Sequence, residues 1–197
     1  MKKIILLLLV SMSAFAQKSY KFAVGSNITS FAFANSAGTN QPILRPSSGL
    51  HVSLSSESEF KLISKHLFSE FGISYNQFNS VGDFQNIPFS YSTDFISIGS
   101  GLGPKVNLGK GIAFIAKYRA SVSKMVNGNQ FLLNRYVDLS GDDQFNSILT
   151  FHGYSLELSK QISPQVGIFV KYQYLNTLEN SLKITPSSFS IGLSLNK

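Results

Sequence analysis

Few residues in this 197-residue chain are of types that carry chemistry. His51, His152 and Glu157, with serines abundant, could supply the parts of a Ser–His–acid relay, in which imidazole takes a hydroxyl proton and a carboxylate orients the imidazole. With so many serines the coincidence is cheap, so no catalytic residue is assigned and the chain is not expected to be an enzyme. His51, His66 and His152 do not have zinc-site spacing. The stretch DLSGDD, Asp138 to Asp143, looks like part of a calcium loop but lacks the downstream bidentate Glu. Asn27-Ile28-Thr29 matches a glycosylation sequon inside a strand and reads as chance. No metal and no cofactor is expected.

The more informative charges sit within alternating runs. In GIAFIAKYRASVSK, residues 111–124, Ile112, Phe114, Ala116, Tyr118, Ala120 and Val122 form one apolar set, and Lys117 and Arg119 belong to the other. Period two is the signature of a β-strand, so each set lies on its own face. Seven more runs share the pattern. They cover residues 18–31, 49–62, 67–77, 93–106, 148–161, 165–175 and 187–197, with faces such as Phe71, Ile73 and Tyr75, or Phe189, Ile191, Leu193 and Leu195. On the opposite faces lie Glu70, Glu157 and Lys171. No stretch has a convincing helical apolar period.

The links between these strands alternate in length. ISKH, NLGKG and QISPQ are tight. ANSAGTNQPILRPS, FNSVGDFQNIPFSYS, the segment 125–147 and NTLENSLKITP are long and polar. Before the first strand, MKKIILLLLVSMSAFAQ has a basic start, an apolar run from Ile4 to Val10 and the small-x-small site Ala14-Phe15-Ala16. It reads as a signal peptide over residues 1–16, leaving residues 17–197 as the folded domain. Removing Lys2 and Lys3 lowers the balance from 17 basic against 10 acidic residues to 15 against 10. The basic residues are spread out, so no nucleic-acid partner is indicated. Cysteine is absent, so stability in an oxidising compartment must come from something other than disulfides.

Eight antiparallel strands with short turns at one end and long links at the other fit an all-β fold, an eight-stranded antiparallel up-and-down transmembrane β-barrel. Hydrocarbon offers the backbone no partners, so a closed sheet is one of only two ways to cross it. An interior only wide enough for side chains would hold Glu70, Lys117, Arg119, Glu157 and Lys171 as a structural charge network. The apolar set would face outer-membrane lipid, with Tyr20, Tyr75, Tyr118, Tyr172 and Tyr174 near the interfaces. Phe131, Leu132, Leu133 and Tyr136 in the long segment 125–147 are the expected extracellular loop contacts.

GLHVSLSSESEFKLISKHLFSEFGISY resembles the second hairpin of small outer-membrane barrels of the "outer membrane protein beta-barrel domain" type, also called porin-family or OmpA/OmpX-like barrels. Glu70 and Tyr75 match that group's Glu-x-x-x-x-Tyr. FAVGSNITSF is similar to its first strand and FVKYQYLNTLEN to its seventh. The chain departs from the group at Gly99 and Ser100, where a proline is common, and at Lys197, where an aromatic residue is usual. The resemblance implies insertion by the barrel-assembly machinery, residence in the cell outer membrane as a monomer, and a non-enzymatic envelope-structural or surface-binding role, with an unknown extracellular or envelope protein as partner. Two other readings remain. One is a barrel subunit of a secretion or motility apparatus. The other is a soluble, lipocalin-like ligand-binding barrel, which requires an apolar lumen and a polar exterior.

Overall fold

The computed structural model describes residues 18–34, 40–41, 44–59, 67–84, 87–178 and 182–196. The expected signal peptide and the turn ISKH at 63–66 lie outside them.

Ten strands form one antiparallel sheet: β1 Lys18–Ala34, β2 Asn40–Gln41, β3 Leu44–Glu59, β4 Leu67–Phe84, β5 Ile87–Gly109, β6 Ile112–Leu132, β7 Arg135–Asp138, β8 Ile148–Gln161, β9 Val166–Thr177 and β10 Leu182–Asn196. Eight of them close a ring in the order β1, β3, β4, β5, β6, β8, β9, β10, because β10 also pairs with β1 from Ser19↔Asn196 upward. β2 and β7 are short additions that pair with β1 and β6. Closure leaves the eight ring strands without free edges, so their backbone groups are paired within the sheet.

The register also fixes the stagger of the ring. Partners followed from Phe22 through Leu54, Ile73 and Ile98 reach Val122 on β6. Followed the other way through Leu193, Ile168 and Lys160, they reach Ile112 on the same strand, ten residues earlier. Such a stagger obliges the strands to tilt against the barrel axis.

At one end, which carries both termini of the barrel, the described turns, at 110–111 and 162–165, are tight. Gly109, Lys110 and Gly111 all have positive φ (89°, 51° and 73°), a conformation that two glycines make accessible. The opposite, loop end differs from the sequence expectation. The segments expected as long loops are mostly strand: β4 runs to Phe84 and β5 starts at Ile87, and β9 and β10 extend to Thr177 and from Leu182. Phe131, Leu132, Leu133 and Tyr136 therefore belong to a hairpin rather than a loop. Leu132 pairs with Arg135 around a two-residue turn in which Leu133 and Asn134 both have positive φ, the geometry that matches strand twist.

Polarity inverts along the strands, which accounts for the difference. Around the middle of the barrel the apolar set points out: Leu54, Phe71, Ile73, Ile98, Tyr118 and Ile191 are exposed, while Lys21, Glu57, Glu70, Lys117, Glu157 and Lys171 are buried inside. Towards the loop end the apolar set points in. Phe31, Phe78, Phe95, Phe145, Phe151 and Leu149 are almost fully buried and form one cluster with Tyr91 and Phe89. The register shift opposite Asp94 and Phe95, which leaves Val126 of β6 as an extra residue, accompanies the switch.

Candidate functional site

Three layers fill the lumen. At its middle, side chains from six strands converge. Lys21 of β1 donates to Glu57 of β3 at 2.7 Å and to Glu157 of β8 at 2.6 Å. Lys117 of β6 donates to Glu57 and, at 2.6 Å, to Glu70 of β4. Glu70 also accepts from Arg119 Nη1 at 2.8 Å, and Lys171 Nζ of β9 stands 3.7 Å from the same Glu70 oxygen. Strand alternation positions them all: odd residues of β1, β3, β6, β8 and β9 and even residues of β4 point inward at this height.

The five residues expected from the sequence, Glu70, Lys117, Arg119, Glu157 and Lys171, thus lie in one cluster, but Glu157 is joined to the others through two residues that the sequence reading did not include, Lys21 and Glu57. Their signal was present in the register. Lys21 shares its face with Ala23, and Glu57 shares its face with His51, Ser53 and Ser55. Phe169 completes the layer, with Lys21 Nζ 5.3 Å from its ring centre.

Oxygens of Glu57, Glu70 and Glu157 approach within 4.8 Å of one another, a spacing that could hold a metal ion. The residues present do not favour one. Lys21 already lies between Glu57 and Glu157, and Lys117 between Glu57 and Glu70, so the ammonium groups occupy the position of a cation.

Above this layer lies a belt of neutral polar groups. His51 Nδ1 meets Asn76 Oδ1 at 2.7 Å, Asn76 Nδ2 donates to Ser97 at 3.0 Å, and Ser97 and Ser123 are 2.8 Å apart. Asn27, the sequon residue, points into the lumen and donates to the carbonyl of Leu50 at 3.1 Å. Above the belt the aromatic cluster caps the barrel. Phe145, from the helical turn Asp143–Asn146, stacks on Tyr91 with ring centres 5.7 Å apart and lies 6.4 Å from Phe31. Below the charge layer a polar cavity of about 310 Å³, lined by residues such as Ser19, Gln161, Pro164 and Asn196, opens at the turn end.

The residues considered for a catalytic relay do not come together. His51 bonds Asn76, Glu157 bonds Lys21, and His152 faces the other side of the sheet, where its Nδ1 lies 3.3 Å from the Tyr118 hydroxyl. In the expected calcium-like stretch, Asp138 spends its carboxylate on Ser140, accepting from the backbone N–H and the hydroxyl, each at 2.8 Å. Those bonds hold the Asp138 carboxyl below its ordinary value. At the hairpin tip Tyr136 is 78% exposed and Leu133 63%. Phe131 and Leu132 are only half-exposed, and the Phe131 ring packs 5.2 Å from that of Tyr136.

An exterior of exposed Leu, Ile, Val and Phe around a core of ion pairs is the inverse of a water-soluble barrel and matches hydrocarbon as the outer solvent. No protein family model and no curated protein matches the chain. Among solved structures it is similar to neisserial surface protein A, at 12% identity and a TM-score of 0.58 over 91% of this chain and 97% of that one. It also aligns with Ail of Yersinia pestis (12% identity, TM-score 0.44, 92% and 100%) and with the outer membrane protease OmpT of Escherichia coli (8%, 0.46, 92% and 97%). The first of these supports the fold: the chain has the fold of a small eight-stranded transmembrane β-barrel.

Proposed function

We propose that this protein is a small, non-enzymatic outer-membrane barrel with a structural or surface-binding role. Residues 1–16 direct its export and are removed, the barrel-assembly machinery inserts residues 17–197, and the protein works as a monomer in outer-membrane lipid. The turn end faces the periplasm and the loop end faces outward. The charge network is structural: it joins six strands across the lumen, beneath the aromatic cap.

The single observation that carries this reading is the polarity of the wall, apolar outside and charged inside. It runs against a lipocalin-like barrel, which needs the opposite arrangement. The name of the fold neighbour, a surface protein, agrees with a surface role. The contact surface is the hairpin of β6 and β7, where Leu133, Tyr136 and Val137 stand exposed above the barrel wall, available to an extracellular or envelope protein partner.

Gel migration of the protein from fractionated envelopes, with and without boiling, tests this function. Recovery in the outer-membrane fraction with mobility that shifts on heating supports it, because a closed sheet resists detergent until it opens as a unit. Recovery as a soluble protein of unchanging mobility rejects it.

A further inference from the structure

The charge layer does not balance. Among the described residues it holds four cations, Lys21, Lys117, Arg119 and Lys171, against three carboxylates, Glu57, Glu70 and Glu157. The surplus is localised. Lys21 and Lys117 each have two close carboxylate partners, whereas Arg119 and Lys171 share one oxygen, Glu70 Oε1, at 2.8 Å and 3.7 Å. The Lys171 side chain is only 3% exposed, and its single ion pair among the described residues is the long one. An uncompensated charge inside a barrel surrounded by hydrocarbon is costly, and a pair that forms only partial contact does not remove the cost.

Arg119 and Lys171 also line a small cavity between the charge layer and the aromatic cap, together with His51, Asn27 and Asn76. Since both cations touch one Glu70 oxygen, their nitrogens are at most 6.5 Å apart, the sum of 2.8 Å and 3.7 Å, a span that one monatomic anion can bridge. The cavity measures about 30 Å³, room for about two water-sized guests. His51 supplies a further, independent sign of a guest. Its Nδ1 is engaged with Asn76, and its buried Nε2 has no hydrogen-bond partner among the described residues.

We propose that this cavity is a binding site for a monovalent inorganic anion, chloride in physiological salt, held between Arg119 and Lys171. The anion neutralises the surplus cation, and one water beside it donates one proton to the anion and the other to His51 Nε2. The charge layer then balances, and the orphaned imidazole nitrogen has a donor. The inference rests on the transmembrane reading only in that hydrocarbon around the barrel makes the imbalance costly.

Bromide, which scatters X-rays anomalously, is the probe. Crystals of the detergent-extracted protein grown in sodium bromide should show an anomalous peak in the cavity between Arg119 and Lys171. In solution, replacing gluconate by chloride at constant ionic strength should slow heat-driven unfolding saturably, by about tenfold at ten times the dissociation constant. Lys171→Met removes the surplus charge and should abolish that dependence. A bromide map with no peak in the cavity overturns the proposal, as does a wild-type unfolding rate indifferent to chloride. An unchanged chloride dependence in Lys171→Met also overturns it. If that variant does not fold, the wild-type bromide map decides alone. Failure of the transmembrane reading would show separately, as a soluble protein without heat-shifted mobility.

Discussion

Lys117 and Glu70 meet at 2.6 Å across the lumen, although β5 separates their strands. Lys117 also bonds Glu57, so one ammonium ties β6 to β4 and β3, the second and third strands from it round the ring. Replacing Lys117 by Met leaves Glu57 with only Lys21, and Glu70 with only Arg119 and the distant Lys171. Breaking one member of a buried ion cluster costs about 3–5 kcal/mol. The temperature at which the folded gel band converts should fall clearly in Lys117→Met. The charge swap Lys117→Glu with Glu70→Lys should not recover the loss, because the new carboxylate would face Glu57 and the new ammonium would face Arg119 and Lys171, whereas a network without energetic weight would leave all three proteins alike.

Leu54 and Leu133 are similarly exposed, at 58% and 63%, yet they meet different solvents. Leu54 lies on β3 among the apolar wall, and Leu133 sits at the tip of the β6–β7 hairpin. An arginine on the lipid face near mid-bilayer costs about 2–4 kcal/mol. Leu54→Arg should therefore lower the yield of heat-shiftable barrel on folding into liposomes, and Leu133→Arg should not.

Phe145 reaches the cap from a helical turn between two strands, not from the barrel wall. Phe145→Ala removes its stacking on Tyr91 and Phe31. A buried Phe-to-Ala change costs about 3–5 kcal/mol, and here the cost falls on local opening of the segment 133–147. Cleavage there by an added protease should accelerate by about tenfold or more, while the barrel keeps its heat-shifted mobility.

Asp138 gives a pH-dependent local effect. Its carboxylate accepts two hydrogen bonds from Ser140 and titrates below its ordinary value of 3.8. A depressed carboxylate contributes to stability above the ordinary value and loses that contribution as pH falls through its lowered one. The turn at 138–142 should loosen only in that acid range. Ser140→Ala should raise the Asp138 pKa, as followed by carboxyl carbon NMR.

The centre of the barrel was legible in the sequence because each of its strands keeps one solvent on each face. Tyr118 outward and Lys117 inward is a contrast that alternation reveals. The strand ends were not, because the solvents exchange places. Phe71, Ile73 and Tyr75 point outward on β4, but Phe78, three residues on, points inward. That shift breaks the period-two pattern, so FNSVGDFQNIPFSYS reads as a polar loop. The cap is written in the same residues and is hidden for the same reason. Lys21 and Glu57 were recoverable from parity, while the convergence of Arg119 and Lys171 on one Glu70 oxygen depends on the tilt and stagger of the ring, which no local pattern encodes.

The chain has no cysteine, so single-cysteine variants report on one position each. Leu54→Cys and Leu133→Cys, expressed in intact cells and treated with a membrane-impermeant maleimide, test the polarity of the wall most directly. Labelling of Leu133→Cys from outside, together with protection of Leu54→Cys until the membrane is dissolved and the barrel boiled, is the predicted result. Reaction of Leu54→Cys with the water-soluble reagent in the intact envelope would contradict a lipid-facing wall, and with it the membrane-spanning barrel.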